Sequence, residues 1–80
     1  MRDTRRIIFL VYEGFELLDL TGSASVFSTA SADSRRYQVD VISAAGGLVN
    51  SFSKISVDTR AASSVRFGAN DTLLVVCALP

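Results

Sequence analysis

Apolar residues along this chain form two short runs and one longer pattern of helical period. The runs at 6–12 and 72–76 are mainly apolar and too short for helices, which is typical of strands covered on both faces. Residues 37–43 alternate between apolar and polar side chains and predict a more peripheral strand. Because right-handed crossovers connect parallel strands, we expect 6–12 to be the central strand, with 37–43 and 71–76 parallel to it on either side.

Turn residues and weaker patterns define the remaining elements. The pattern predicts a polar loop at 31–36, a turn at 44–47, two short strands of a hairpin-like arm at 48–52 and 54–57, and a weak helix at 58–67 that Asp58 or Thr59 would cap. The order strand, helix, strand, arm, short helix, strand predicts an α/β layer with a mostly parallel sheet.

The segment 16–30 predicts a helix with apolar residues over more than half of its circumference. One stripe consists of Phe15, Leu18, Gly22, Val26 and Ala30, and its neighbour of Leu17, Leu20, Ala24 and Phe27. One sheet face covers only about one stripe, so we expect the second set, from Leu17 to Phe27, to contact a further part of the domain or another copy of the chain. Gly22 costs about 1 kcal/mol relative to alanine inside a helix, which a close backbone approach would explain. The sequence therefore predicts a homo-oligomer formed through helix 16–30.

Composition narrows the function classes. Eight basic and eight acidic residues, with a pI near 6.1, lack the basic excess of a nucleic-acid surface, so we expect no DNA binding by this chain alone. The arginine pairs at 5–6 and 35–36 are interpreted as solvated ends of elements.

The sequence contains no histidine, so a Ser-His or Cys-His catalytic couple cannot be built from these residues. No run is long enough to span a membrane, and the single cysteine fits a reducing compartment, so we expect a cytoplasmic location. At 49% hydrophobic residues, 80 residues hold more apolar surface than a small domain hides, and we expect 1–80 to be an incomplete domain.

Asp19 is the first candidate for a functional side chain, because it lies in a leucine-rich segment. A carboxylate there costs free energy unless it is exposed, hydrogen-bonded or protonated. It is either a pocket group that binds a ligand or pairs with a downstream cysteine, or a first-turn acid that complements the helix dipole by about 0.3–1 kcal/mol. Glu13 and Glu16 are interpreted as turn and helix-start acids, with pocket contact as the alternative. Cys77 is interpreted as a small buried residue at a strand end rather than a reactive thiol, because no cationic neighbour is visible.

Several segments together resemble the N-terminal part of the ThiJ/PfpI superfamily, the class I glutamine-amidotransferase-like proteins. The matching segments are Gly14-Phe15-Glu16-Leu17-Leu18-Asp19-Leu20-Thr21-Gly22 with Val26-Phe27, Tyr37-Gln38-Val39, Ser43-Ala44-Ala45-Gly46-Gly47, the arm at 49–57, and Asp71-Thr72-Leu73-Leu74-Val75. They cover nearly the whole chain. Within the superfamily, the 43–47 turn and the 71–75 strand most resemble the sensor domain that precedes an AraC-type helix-turn-helix.

The resemblance implies a three-layer, flavodoxin-like α/β fold with a mostly parallel sheet, of which 1–80 would be the N-terminal part. It implies a ligand-sensing domain of a transcriptional regulator, with a small-molecule effector, no cofactor or metal, and the DNA-binding part outside this chain. It also implies a ligand-binding role for Asp19, and Glu16 and Cys77 are the further candidate ligand-binding residues.

Two departures from the superfamily pattern favour sensing over catalysis. In catalytic relatives the acid at the position of Asp19 lies beside a nucleophilic cysteine on a strand-to-helix elbow, which would fall after residue 80. Cys77-Ala78-Leu79 stands where relatives often carry Pro-Gly-Gly, and Ser23 replaces a common proline. We therefore expect no catalytic residue and no hydrolase or lyase activity in this chain alone. The alternatives are an enzyme of the same superfamily, such as an isonitrile-hydratase-like lyase or an amidase-like hydrolase, and a dimerisation module.

Overall fold

One α-helix lies on a five-stranded sheet in the computed structural model, which describes residues 5–31 and 37–77. The elements are β1 (Arg5–Leu10), α1 (Leu17–Ser31), β2 (Tyr37–Ser43), β3 (Gly47–Asn50), β4 (Ser56–Ala61), a short 3₁₀-helix (Ala62–Ser64) and β5 (Asp71–Val75). The predicted helix at 16–30 and the predicted strands at 6–12, 37–43 and 71–76 are confirmed. The predicted loop at 31–36 lies almost entirely outside the described residues.

The sheet has the strand order β3-β4-β2-β1-β5. Strand β1 is parallel to β2 on one side and to β5 on the other, with Ile7 opposite Val39 and Thr72. This confirms that the first strand lies between the second and the last. The middle strand of the five is β2, however, so the prediction that 37–43 is a more peripheral strand is wrong, because β4 pairs on its other side. Strand β4 continues the parallel arrangement beside β2, and β3 pairs antiparallel with β4, which confirms the predicted arm.

The prediction of a three-layer, flavodoxin-like fold is wrong. The described residues contain one α-helix, and the antiparallel β3 makes the sheet mixed. The segment 58–67, which was expected to be helical, supplies most of β4 and then the 3₁₀-helix. Val57, Thr59 and Ala61 are buried or half-buried while the residues between them are exposed. This two-residue period, with β-branched side chains facing inward, outweighs the weak helical propensity of the segment.

Two apolar clusters lie on opposite faces of the sheet, because side chains alternate along β1. The larger cluster joins the helix to the sheet and consists of Ile7, Phe9, Val11, Phe15, Leu20, Val49 and Val76. The smaller consists of Ile8, Ile42 and Val65, with the 3₁₀-helix packed against it through Ala62.

The helix stripe expected to be uncovered is instead the one that packs on the sheet. Leu20 is buried, and Leu17, Ala24 and Phe27 pack against the larger cluster. Phe27 also contacts the rings of Phe9 and Tyr37, at centroid distances of 6.4 and 5.3 Å. The other stripe is open along the helix, with Leu18 73% and Val26 66% exposed, whereas Phe15, which precedes the helix, is buried. Both stripes are apolar in the sequence, so composition alone could not tell which one the sheet covers.

Strand β5 and its end are less buried than their sequence predicts. Leu73, Leu74 and Val75 are 48%, 36% and 54% exposed, because β5 is an edge strand and neither face of it is fully covered by the described residues. The interpretation of Cys77 as a buried residue is also wrong, since it is exposed. Leu74 and Val75 are therefore available to further chain or to a partner.

A charged network crosses the sheet from β5 to β4. The Arg6 guanidinium donates to both carboxylate oxygens of Asp71, at 3.3 and 2.7 Å, and also to the Arg66 carbonyl. The Asp40 carboxylate lies 3.9 Å from the guanidinium group of Arg6 and 3.9 Å from that of Arg60. Arg6 is thus paired rather than solvated, which corrects the interpretation for that residue, whereas Arg5 is an exposed strand end as expected. The network ties β1 to β2 and β5.

Acid should weaken this network. Hydrogen bonding from Arg6, and then from the Gly68 N–H, lowers the pKa of the Asp71 carboxyl. A carboxyl whose folded-state pKa lies below its unfolded value of about 4 stabilises the fold above that pH and loses the contribution as pH falls through the folded value. We expect Asp71→Asn to lower the melting temperature at pH 7 and to flatten its decline below pH about 4. Circular dichroism melts from pH 7 to 2 test this, with the exposed Asp58→Asn as control. Parallel pH profiles for Asp71→Asn and wild type would contradict it.

Candidate ligand-binding site

The turn between β1 and α1 places the start of the helix at the carboxyl end of β1. Val11 donates to the Ile42 carbonyl at 3.0 Å, which extends β1 beside β2. Gly14 then adopts φ +86°, a left-handed conformation that glycine reaches without steric cost. Phe15 follows and is fully buried. The buried ring fixes where the helix begins.

Glu16 caps the helix and links it to the end of β5. Its carboxylate accepts the Leu18 N–H at 3.1 Å, as expected of an acid at the N-cap. Its own N–H donates to the Cys77 carbonyl at 3.1 Å, and Val76 donates to the Leu10 carbonyl at 3.0 Å. The first turn of α1 therefore lies beside the carboxyl ends of β1 and β5. The Glu16 side chain therefore caps the start of the helix, and its backbone N–H holds the Cys77 carbonyl in place.

A depression of about 220 Å³ opens where these elements meet. Its lining residues are Phe9, Asp19, Ser23, Leu74, Val75, Val76 and Cys77. Two of the three candidate binding residues, Asp19 and Cys77, thus come together from positions 58 residues apart in sequence, and Glu16 lies next to them through its backbone. Asp19 is exposed and sits in the first turn of α1, so it also complements the helix dipole. The two interpretations of Asp19 are compatible.

The depression can accept hydrogen bonds and cover an apolar group. Asp19 supplies a carboxylate, Ser23 a hydroxyl and Cys77 a thiol, while Phe9, Leu74 and Val76 supply apolar surface. No cationic side chain is among its lining residues. The arrangement suits a small molecule with an ammonium, amide or hydroxyl donor next to a short apolar body. No group of three or more metal-binding side chains occurs in residues 5–31 and 37–77.

Sequence reasoning did not select Ser23 or the β5 residues as parts of a site. Ser23 was noted only as a replacement for proline, yet it lies one helical turn after Asp19 and faces the same depression. The carboxyl ends of neighbouring parallel strands commonly form ligand sites, and the predicted strand order placed the ends of β1 and β5 together. That rule could have pointed to Leu74 and Val76.

Comparison with known proteins assigns no activity. No protein-family model matches the chain. The chain is 41% identical over 75 residues to an uncharacterized protein in the cpoL 5' region of Streptomyces lividans. The match covers 89% of this chain and 50% of that protein, so the chain spans about half of its relative's length. Within the part of the chain that the structure describes, no helix is long and apolar enough to cross a membrane.

Proposed function

We propose that this chain is a ligand-sensing, non-catalytic part of a ThiJ/PfpI-like domain in an AraC-type transcriptional regulator. Residues 1–80 form the N-terminal part of that domain, and the DNA-binding part lies elsewhere in the regulator. The regulator acts in the cytoplasm. The observation that carries the proposal is the depression that brings Asp19 and Cys77 together at the carboxyl end of the sheet.

The chemistry of the depression favours binding over turnover. A carboxylate, a hydroxyl and a thiol can hold a donor group, but the sequence has no histidine to act as a general base toward the thiol. The exposed apolar residues of β5 support the proposal that further chain completes the domain and closes the depression. The effector is then a small molecule with a donor group that meets Asp19.

The alternative of a dimerisation module is favoured by a separate observation. Leu18, Gly22 and Val26 lie on one exposed stripe of α1, and a shallow apolar surface continues past Val26 to Thr29 and Ala30. An isologous contact between two copies of this stripe would bury it. Sensing and dimerisation are compatible, because a regulator that binds paired DNA half-sites is commonly a dimer.

Titration of the chain with short-chain amines tests the binding role. We expect n-butylammonium to shift the amide resonances of Asp19, Ser23 and Cys77, and the butyrate anion, which is of similar length but opposite charge, to leave them unchanged. Asp19→Asn should reduce the affinity about tenfold or more, since a charge-assisted hydrogen bond contributes about 1.5–3 kcal/mol. Asp58→Asn, on β4, is the matched control. Equal binding of the amine by Asp19→Asn and wild type would refute the role of Asp19.

The regulator assignment needs a separate test. The complete reading frame that contains this chain should encode two helix-turn-helix units, and the full protein should bind a duplex from its own upstream region. A cysteine on a glycine-flanked strand-to-helix elbow, together with turnover of an isonitrile or amide by the full protein, would replace the regulator with the enzyme alternative.

A further inference from the structure

A second cleft lies between the β1–α1 turn and the turn that joins β3 to β4. It has a volume of about 450 Å³ and is lined by Glu13, Gly14, Asn50, Ser51, Phe52 and Lys54. It shares no lining residue with the depression at Asp19. The first turn brings an acidic side chain to this cleft, and the second brings a basic one.

Backbone hydrogen bonds fix the two turns against each other. Gly14 donates to the Asn50 carbonyl at 2.8 Å, and Phe52 donates to the Phe15 carbonyl at 2.9 Å. The Asn50 N–H donates to the Glu13 carboxylate at 3.3 Å, which orients the acid along the cleft. The walls are therefore held in place mainly by main-chain contacts, to which the Glu13 carboxylate adds one hydrogen bond.

The β3–β4 turn holds Lys54 in an unusual conformation. Lys54 has φ +72°, and among the described residues no other residue except glycine has positive φ. The turn is closed by Lys54 N–H to the Ser51 carbonyl at 3.0 Å and by Ile55 N–H to the Ser51 hydroxyl at 3.2 Å. A side chain in this region costs about 1 kcal/mol relative to glycine. A lysine thus occupies a position where glycine would be more stable, and strain of this kind commonly accompanies a functional side chain.

The two charges of the cleft do not neutralise each other. Within the described residues, Glu13 and Lys54 line the same cleft without forming an ion pair with one another. The Asn50 side-chain oxygen accepts a hydrogen bond from the Ser56 hydroxyl, so its amide N–H groups are the part that can serve a ligand. The Phe52 ring is 60% exposed beside them. The cleft therefore combines a carboxylate, an ammonium group, an amide and an aromatic face.

We propose that this cleft binds a small zwitterion, an α-amino acid with an apolar or aromatic side chain. Glu13 receives the ligand's ammonium group, Lys54 and the Asn50 amide receive its carboxylate, and Phe52 covers its side chain. Opposite charges that are kept apart in one cleft fit the charge pattern of an amino acid, whereas an ordinary anion or cation would meet one repulsive group. The assignment is independent of the function proposed for the Asp19 depression.

Titration of the full chain with L-phenylalanine, followed by amide resonances and calorimetry, tests the proposal. We expect saturable binding with a dissociation constant in the range of about 0.1–10 mM, since few groups are engaged. Phenethylamine lacks the carboxylate and 3-phenylpropionate lacks the ammonium group, and each should bind about tenfold or more weakly. Absence of saturation by L-phenylalanine, L-leucine and L-methionine up to about 100 mM, roughly ten times the weakest expected dissociation constant, would overturn the proposal.

Two variants separate the cleft from the fold. Lys54→Gly should raise the melting temperature, because it relieves the positive φ, yet reduce L-phenylalanine affinity about tenfold or more. Glu13→Gln should reduce the affinity similarly. Arg66→Gln removes a cation outside the cleft and should leave the affinity unchanged. A Lys54→Gly chain that is folded and binds L-phenylalanine as wild type does would show that the charge is not used.

Discussion

Replacing Phe15 by alanine should lower the free energy of unfolding by about 3–5 kcal/mol, the usual cost of deleting a fully buried aromatic ring. Phe15 has no exposed surface and belongs to the larger apolar cluster together with Phe9 and Leu20. Its backbone also joins two parts of the chain, because its N–H donates to the Tyr12 carbonyl and its carbonyl accepts the Phe52 N–H. Loss of the ring would loosen the turn that starts α1 and the β3–β4 turn together.

Chemical denaturation followed by circular dichroism measures this effect. A domain of 80 residues lies near the low end of the usual range of about 5–15 kcal/mol, so the variant should be partly unfolded in buffer. Phe67→Ala is the matched control, since Phe67 is exposed, and it should change the free energy by about 0.5 kcal/mol or less. A Phe15→Ala midpoint close to that of Phe67→Ala would show that the β1–α1 turn does not depend on the buried ring.

The local pattern of apolar and polar residues predicted where the main strands and the helix lie, but it did not predict how many layers the fold has. The apolar runs within β1 and β5 and the alternation of β2 predicted three strands in parallel pairing, with β1 between the other two. They did not predict which strand is more covered, since β2 is the middle strand and β5 is the exposed edge. The segment 58–67 was misassigned because its strand period spans only the residues of β4 before the 3₁₀-helix begins. An alternation of buried and exposed positions over so few residues is weak evidence for a strand when Asp58 or Thr59 could also cap a helix.

The candidate site, like the fold, could be predicted from the sequence only in part. Asp19 stood out because a single acid in a leucine-rich helix start is anomalous, and the predicted strand order brings the end of β5 near it. The exposure of Cys77 could not be predicted, since it depends on what covers β5. Glu13 and Lys54 are 41 residues apart and form no ion pair with each other, and the hydrogen bond from Gly14 to Asn50 helps to place them on one cleft.

An added carboxylate should affect the stability of the protein very differently on the two stripes of α1. Leu20→Asp places a carboxylate in the larger cluster, where Leu20 is 3% exposed. The lost apolar contacts cost about 2–5 kcal/mol, and the desolvated charge adds several more, so the variant should be unfolded at neutral pH. Val26→Asp lies on the open stripe and should change the stability of the monomer by about 0.5 kcal/mol or less. Circular dichroism distinguishes the two variants directly.

Self-association should follow the open stripe. If two copies meet through Leu18, Gly22 and Val26, Val26→Asp weakens the dimer about tenfold or more in sedimentation velocity, because a charge at the centre of an apolar interface is left unpaired. Gly22→Ala gives an independent test. Apart from the adjacent backbone of α1 itself, nothing in the described chain lies within 4 Å of a methyl group at this position, so alanine should stabilise the monomer by about 1 kcal/mol. The same methyl group would hinder a close approach of two helices and weaken the dimer. A dimer that tolerates both substitutions would place the interface elsewhere, with the exposed edge of β5 as the next surface to test.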